Sequence, residues 1–310
     1  MREPKGEVEL SFRSEEFLKI ETQLRELVDA FKSTEEYRTA STKFSTGQED
    51  PNLEKQLRAA GEILSEHILE LLIDEQLSLE EIVLLLHEST TPLWVMQDGD
   101  ETLQHGEFRA YNVSIGEEVV PPRHEDVQKL VGAFQSSFMK VMESATQEDA
   151  NLIALWSLII INAIHPFADG NGRTARKMAD YVRKSLSQRF GFEYRPLNYG
   201  SASTPEGETL AMVVATVFSE LNLFPATSDE NAFTSYKARA SAGNAESYFD
   251  GVTAQILDHL KKVNTVADLR VFGKLALLSS SLDRIQLSSK HKTKSLGELG
   301  MAEVVGAQSS

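Results

Sequence analysis

The sequence predicts an all-helical fold that carries one small β-hairpin. Three observations lead there. Apolar residues recur three and four apart over most of the 310 positions. Helix-start signals precede several of those runs. Only 106–122 breaks the pattern, with Phe108, Tyr111, Val113, Ile115, Val119 and Val120 around Gly116, closed by Pro121-Pro122.

Taken in order, Phe17, Ile20, Leu24, Leu27 and Phe31 give a first amphipathic helix, and Thr34 to Ser45 continues as a short second one. Gly47 and Asp50-Pro51 interrupt, Pro51 suiting a first helical turn, and a long helix runs from about Leu53 to Ile73. Ser78-Leu79-Glu80-Glu81 reads as a capping box opening a helix with Ile82, Leu85, Leu86 and His87. A lone hairpin is marginal in water, so the 106–122 segment must pack on something or await a partner strand. Helices resume over about 125–143, 149–164, 174–190, 209–223, 231–241 and 245–263. One or two more fit between 265 and 287, and from about 288 a polar stretch without period reads as a frayed tail. There is no internal repeat and no linker, which favours one helical domain with decorations.

Composition narrows the function. The longest apolar stretch, Leu152 to Ile164, is broken by Ser157 and Asn162. It falls short of the roughly 20 residues a bilayer needs and reads as a buried central helix. Met1 to Glu7 lacks the apolar core of a signal peptide, so a cytoplasmic location is expected. No cysteine is present, which excludes disulfides, thiolate metal sites and a cysteine nucleophile. A formal net charge of −16 argues against general nucleic-acid binding. It fits solubility, or a partner with a basic patch.

The chemistry concentrates in His165-Pro166-Phe167-Ala168-Asp169-Gly170-Asn171-Gly172-Arg173-Thr174-Ala175-Arg176. Pro166 stops the preceding helix. Gly170 and Gly172 permit positive φ and close approach of a ligand. Amides turned inward, together with the next helix's N-terminus, make an anion site. Asp169 supplies a carboxylate for Mg²⁺, which takes one or two such ligands plus phosphate oxygens and water. Arg173 and Arg176 lie three apart, on one helical face, with planar forks suited to phosphate. His165 stands before the anion site as a proton acceptor active near neutral pH. Phe167 is expected to anchor the loop in the core.

Each piece alone has a duller reading: a lone histidine is more often structural, and Asn-Gly is usually a turn. Asp169-Gly170-Asn171-Gly172 also imitates a calcium loop with Asp180 at the twelfth position, but Arg173 occupies a ligand place and Thr174 replaces the required glycine. A P-loop pattern is absent. The assembled run is more specific. It fits His-x-Phe-x-Asp/Glu-Gly-Asn-Gly-Arg-x-x-Arg in full, a coincidence on the order of 10⁻⁸ at average residue usage.

On that motif the chain resembles the Fic family. The resemblance implies an all-α bundle with a β-hairpin flap over the active site. It divides the chain into N-terminal helices (1–74), a core (75–250, with the flap at 106–122), and C-terminal helices with a polar tail (251–310). It further implies a protein adenylyltransferase that moves AMP from Mg-ATP to a Ser, Thr or Tyr hydroxyl. His165 would be the base, Asp169 the Mg²⁺ ligand, and Gly170, Asn171 and Gly172 the anion hole; Arg173 and Arg176 would meet phosphate oxygens. Gly106, Phe108, Arg109, Val113 and Ile115 would belong to the flap, where a protein substrate docks by strand addition. Leu86-His87 matches a family position at which the histidine reads as structural, and Tyr236 is a candidate adenine contact. Thr42-Lys43-Phe44-Ser45-Thr46-Gly47 resembles the family's inhibitory helix, with Thr42, Thr46 and Gly47 as its regulatory positions. Thr46 stands where a glutamate would pair with Arg176, so inhibition of that kind should be weak or lost. Self-modification and homo-oligomerisation are left open.

Other chemistries share this loop: transfer of another nucleotide, of phosphate or of phosphocholine, and removal of AMP. Phosphate-transferring relatives usually depart at the second glycine or first arginine, and Gly172 and Arg173 are intact. An inactive binding module is the alternative of a different class. A C-terminal DNA reader finds only scattered lysines (Lys261, Lys262, Lys290, Lys292, Lys294) and no recognition helix followed by a hairpin.

Overall fold

The computed structural model describes residues 13–35, 37–39, 42, 66–90, 106–113, 121–197, 205–221, 223, 245–280 and 282. Among these the fold is all-α, as the periodicity predicts. The helices are α1 (Glu15–Ser33), α2 (Leu79–Thr90), α3 (Val127–Glu143), α4 (Ala150–Ile164), α5 (Asn171–Phe190), α6 (Pro205–Leu221), α7 (Ala245–Lys262), α8 (Val266–Arg270) and α9 (Gly273–Ser279). Residues 66–74 are also helical. None of the described helices is long and apolar enough to cross a membrane.

The core is built around α4. Thirteen of its fifteen residues are buried, all but Asn151 and Asn162. A helix apolar on all sides has to be surrounded, and α3, α5, α6, α8 and α9 all pack on it. Trp156, wholly buried, stands edge-on to Phe134 of α3 at 5.3 Å and donates its indole N–H to His259 Nε2 of α7 at 3.0 Å. Burying an aromatic that size removes 150–250 Å² from water, and the indole proton is satisfied rather than stranded.

Local signals set the ends. Ser78 and Glu81 form the expected capping box: Glu81 N–H donates to Ser78 Oγ (3.2 Å), and Ser78 N–H to Glu81 Oε2 (2.9 Å). Glu81 Oε1 also accepts the Ser14 amide at 2.8 Å, seating the start of α1 beside α2. On α1, Phe17, Ile20, Leu24 and Leu27 face the core as their spacing requires. The helix expected from 174 begins three residues earlier, at Asn171, so half of the chemical motif is helical. It ends on Gly191, left-handed at φ 73°, whose amide donates to Ser187 O.

One expectation changes. The first half of the expected hairpin, 106–113, contains no strand. Its backbone is committed elsewhere: Gly106 N–H donates to His87 Nδ1, and Arg109 N–H to Pro166 O. Ile115 and the rest of the second strand lie outside the described residues. Residues 250 and 251 both lie inside α7, a continuous helix packed on α3.

Candidate active site

The loop between α4 and α5 begins with a backbone outlier. His165 caps α4 in the left-handed conformation (φ 52°, ψ 59°), the one non-glycine residue with positive φ among those described. Pro166 disfavours the right-handed helical region for the residue before it, so the helix cannot continue through His165. A side chain in this region is strained, and such strain collects at functional sites. The ring is half-buried, and its Nδ1 has no hydrogen-bond partner among the described residues. Burial, then the neighbouring Arg109 charge, pull its pKa down to about 4, so at neutral pH the imidazole is uncharged and can accept a proton.

Phe167 packs the loop against the core. It is fully buried, stacked on His87 at 3.7 Å with the planes within 5°, and tilted against Phe108 at 5.8 Å. Asn171 closes the turn in both directions: its Oδ1 accepts the Phe167 amide at 2.8 Å, and its Nδ2 donates to Phe167 O at 2.9 Å. The Asn171 side chain is therefore committed to the loop, and any part it takes in an anion hole falls to its main-chain amide.

Gly170 stands at the N-cap with φ 76°, and the first helical bond of α5 runs from Thr174 N–H to Gly170 O at 2.8 Å. The amides of Asn171 and Gly172 come before that bond and have no acceptor within the helix. Here a twenty-residue helix presents its positive end. A Cβ at residue 172 would stand 3.4 Å from Arg176 Nη1, so the guanidinium lies beside the glycine backbone. Asp169 is exposed at the rim; one carboxylate oxygen accepts the Gly170 amide at 2.6 Å. Arg173 is half-buried one turn ahead of Arg176's face. The donor set fits a polyphosphate with Mg²⁺: one hard carboxylate, main-chain amides and two guanidinium groups around glycine backbone. The calcium-loop alternative is closed, because Asp180 is fully buried, accepts the Leu197 amide, and has its pKa raised by burial to about 6.

The remaining site residues behave differently from one another. His87 is structural, as read: the Gly106 amide can only donate, so Nδ1 accepts and the proton sits on Nε2, which donates to Asp169 O at 3.2 Å. Gly106 is buried with φ 71°, packed beside Glu88. Arg109, grouped by the resemblance with the flap and target-binding positions, is 5 % exposed, and its guanidinium donates to main-chain oxygens of His165, Tyr111 and Pro122. Val113 is half-buried. Thr42 is exposed, its hydroxyl bonded to Arg38 O within the helix. Thr46, Gly47, Tyr236 and Ile115 lie outside the described residues.

What sequence reasoning missed is how the loop is held. Spacing gives no sign that residue 87 would stack on residue 167 or that residue 109 would cap residue 165. Nor does it place Arg25 of α1 on Glu88 (2.9 Å), next to Gly106. A buried-type Leu86-His87 pair inside an apolar run was the available signal.

Residues 76–182 match the model of the Fic/DOC family, about a third of the chain, from just before α2 to within α5. That segment is similar to the Fic/DOC family, and it contains the whole loop. Among solved structures, a Fic family protein from Desulfovibrio desulfuricans G20 is 16 % identical, with 84 % of this chain and 76 % of that chain covered at a TM-score of 0.34. A Fic domain containing signaling protein from Bacteroides thetaiotaomicron VPI-5482 is 14 % identical, covering 84 % and 93 % at 0.37. No curated protein sequence matches the chain.

Proposed function

We propose that this protein is an adenylyltransferase that moves AMP from Mg-ATP to a hydroxyl on a protein. The observation that carries the reading is the α4–α5 turn. It sets a half-buried, uncharged imidazole at one end and a glycine-backed helix N-terminus with two arginines at the other.

In the proposed step, the target hydroxyl oxygen attacks the α-phosphorus. The bond from that phosphorus to the α,β-bridging oxygen breaks, pyrophosphate leaves with that oxygen and its electron pair, and the hydroxyl proton passes to His165. A positioned base of this kind is worth about 10²–10⁴ in rate. Asp169 would hold Mg²⁺, which when bound neutralises charge on the phosphates. The amides of Gly170, Asn171 and Gly172 would cradle phosphate oxygens, and Arg173 and Arg176 would meet the charge that develops. Phe167, His87 and Asn171 keep that cradle in shape. A protein substrate would dock along 106–122, and with threonine at 46 in place of a glutamate, inhibition through a carboxylate from that segment would be weak or lost.

ATP labelled at the α or the γ phosphorus separates the transfers. Label from the α position should appear on protein, and replacing His165 by Ala should remove it. Label arriving from the γ position would replace AMP transfer by phosphate transfer. Intact Gly172 and Arg173 favour the first outcome.

A further inference from the structure

We propose that Arg109 is a positioning residue for the transfer step, holding the main chain of His165 and both ends of the 111–122 segment as one unit. The inference rests on the function proposed above, with His165 as the base.

A catalytic imidazole is usually fixed through its second ring nitrogen. Here Nδ1 has no side-chain partner among the described residues, and the group acting on the ring is the main chain of Asn162 one turn back, so ring direction follows from the main chain. That main chain is left-handed, a conformation that persists only where its surroundings over-determine it. Three hydrogen bonds do so. His165 N–H donates to Ile161 O at 2.9 Å, Arg109 Nε donates to His165 O at 2.8 Å, and Arg109 N–H donates to Pro166 O at 2.9 Å. Two of the three belong to Arg109.

The guanidinium does more than hold residue 165. Nη1 donates to Tyr111 O at 3.1 Å and Nη2 to Pro122 O, so one guanidinium joins residues 111, 122 and 165. Its acceptors are three carbonyl oxygens and no carboxylate. Burial pulls its pKa to about 10, which leaves it charged at neutral pH, with Glu125 the carboxylate that acts on it. A buried charge satisfied by main-chain oxygens is a costly device for ordinary loop closure. The fork geometry explains the residue type: only arginine presents donors in three fixed directions, and lysine would satisfy one carbonyl well.

The alternative is a contact that merely stabilises the fold. Arg109→Met and Arg109→Lys in the full chain, with Arg270→Met as a control, distinguish the two. Arg270 pairs with Asp149 at the far end of α4 and touches nothing in the loop. Arg109→Met should lower kcat on the order of 10²-fold, the scale of an ångström-sized misplacement of reacting groups. KM for Mg-ATP should change by less than about threefold, since the phosphate cradle is untouched. Arg109→Lys should recover only part of the loss. Amide hydrogen exchange should rise in 106–112 and 165–170 and stay unchanged elsewhere in α4. Arg270→Met should lose stability and keep kcat. Retained kcat in Arg109→Met, or exchange rising evenly across the molecule, would overturn the proposal. If the wild-type protein transfers no nucleotide, the function above fails on its own. The exchange pattern then still decides the clamp: local opening supports it and unchanged amides overturn it.

Discussion

His165 sets the pH behaviour of the reaction. An ordinary imidazole would give an acid limb near pH 6.5, whereas burial and the Arg109 charge hold this one near 4. The free enzyme's kcat/KM should therefore stay flat as pH falls through 6.5 and decline only near 4 to 5. A pH–rate profile with its limb between 6 and 7 would show that the ring is solvated in the working enzyme. The same scale holds the test of inhibition. Restoring a carboxylate by Thr46→Glu should lower AMP transfer, measured as label incorporated per minute, through pairing with Arg176. Unaltered turnover would mean that 42–47 is not the inhibitory segment. At the residue level the sequence was most legible where chemistry and neighbourhood coincide, as in His165 to Arg176. It was least legible for Arg109, whose role is written in oxygens of residues 111, 122 and 165.

The element that matters most is the turn joining α4 to α5, and Asn171 is its fastener. Replacing it by Ala leaves the Phe167 amide and carbonyl buried and unpaired, at a cost of about 1–3 kcal/mol each. Thermal or denaturant unfolding should record a loss of about 2–4 kcal/mol, along with weaker nucleotide binding. A change below about 0.5 kcal/mol, the range of neutral surface substitutions, would show that the turn holds itself. Helix existence was readable for α1 through α5 because each carries a strong apolar period or a cap. The start of α5 was not: Gly170-Asn171-Gly172 reads as loop by composition. The side chain that folds Asn171 back on Phe167 turns that same tripeptide into a helical first turn. The strand expected at 106–113 failed for a related reason, since its amides serve His87 and Pro166 instead of a neighbouring strand.

Over the whole molecule, two buried imidazoles shape stability. His165 and His259 are both held near 4, against about 6.5 when unfolded. Between those values the unfolded chain binds the extra protons, so stability present above pH 6.5 is lost as pH falls toward 4. Asp180 works in the opposite sense. Its carboxyl, raised to about 6, keeps its proton longer in the folded state, so its contribution declines as pH rises from 3.8 to 6. The two histidines outweigh one acid. His259 accepts the Trp156 indole proton, and its own protonation would break that bond in the core. His259→Gln keeps an acceptor without the titration. It should shrink the loss of stability between pH 6.5 and 4 by up to about 3 kcal/mol. An unchanged pH slope in denaturant unfolding would sink that assignment. The same molecular scale links α1 to the site, since Arg25 grips Glu88 beside Gly106 and so reaches the base of the 106–122 segment.

The most direct measurement is a calorimetric titration of a non-hydrolysable ATP analogue with Mg²⁺ into the wild-type protein and into Arg176→Ala. The α4–α5 turn should bind one nucleotide per chain. Losing a charge-assisted contact should weaken binding on the order of ten- to a hundredfold. No saturable binding to the wild type, or equal affinity in both proteins, would contradict the claim that this turn holds the phosphates.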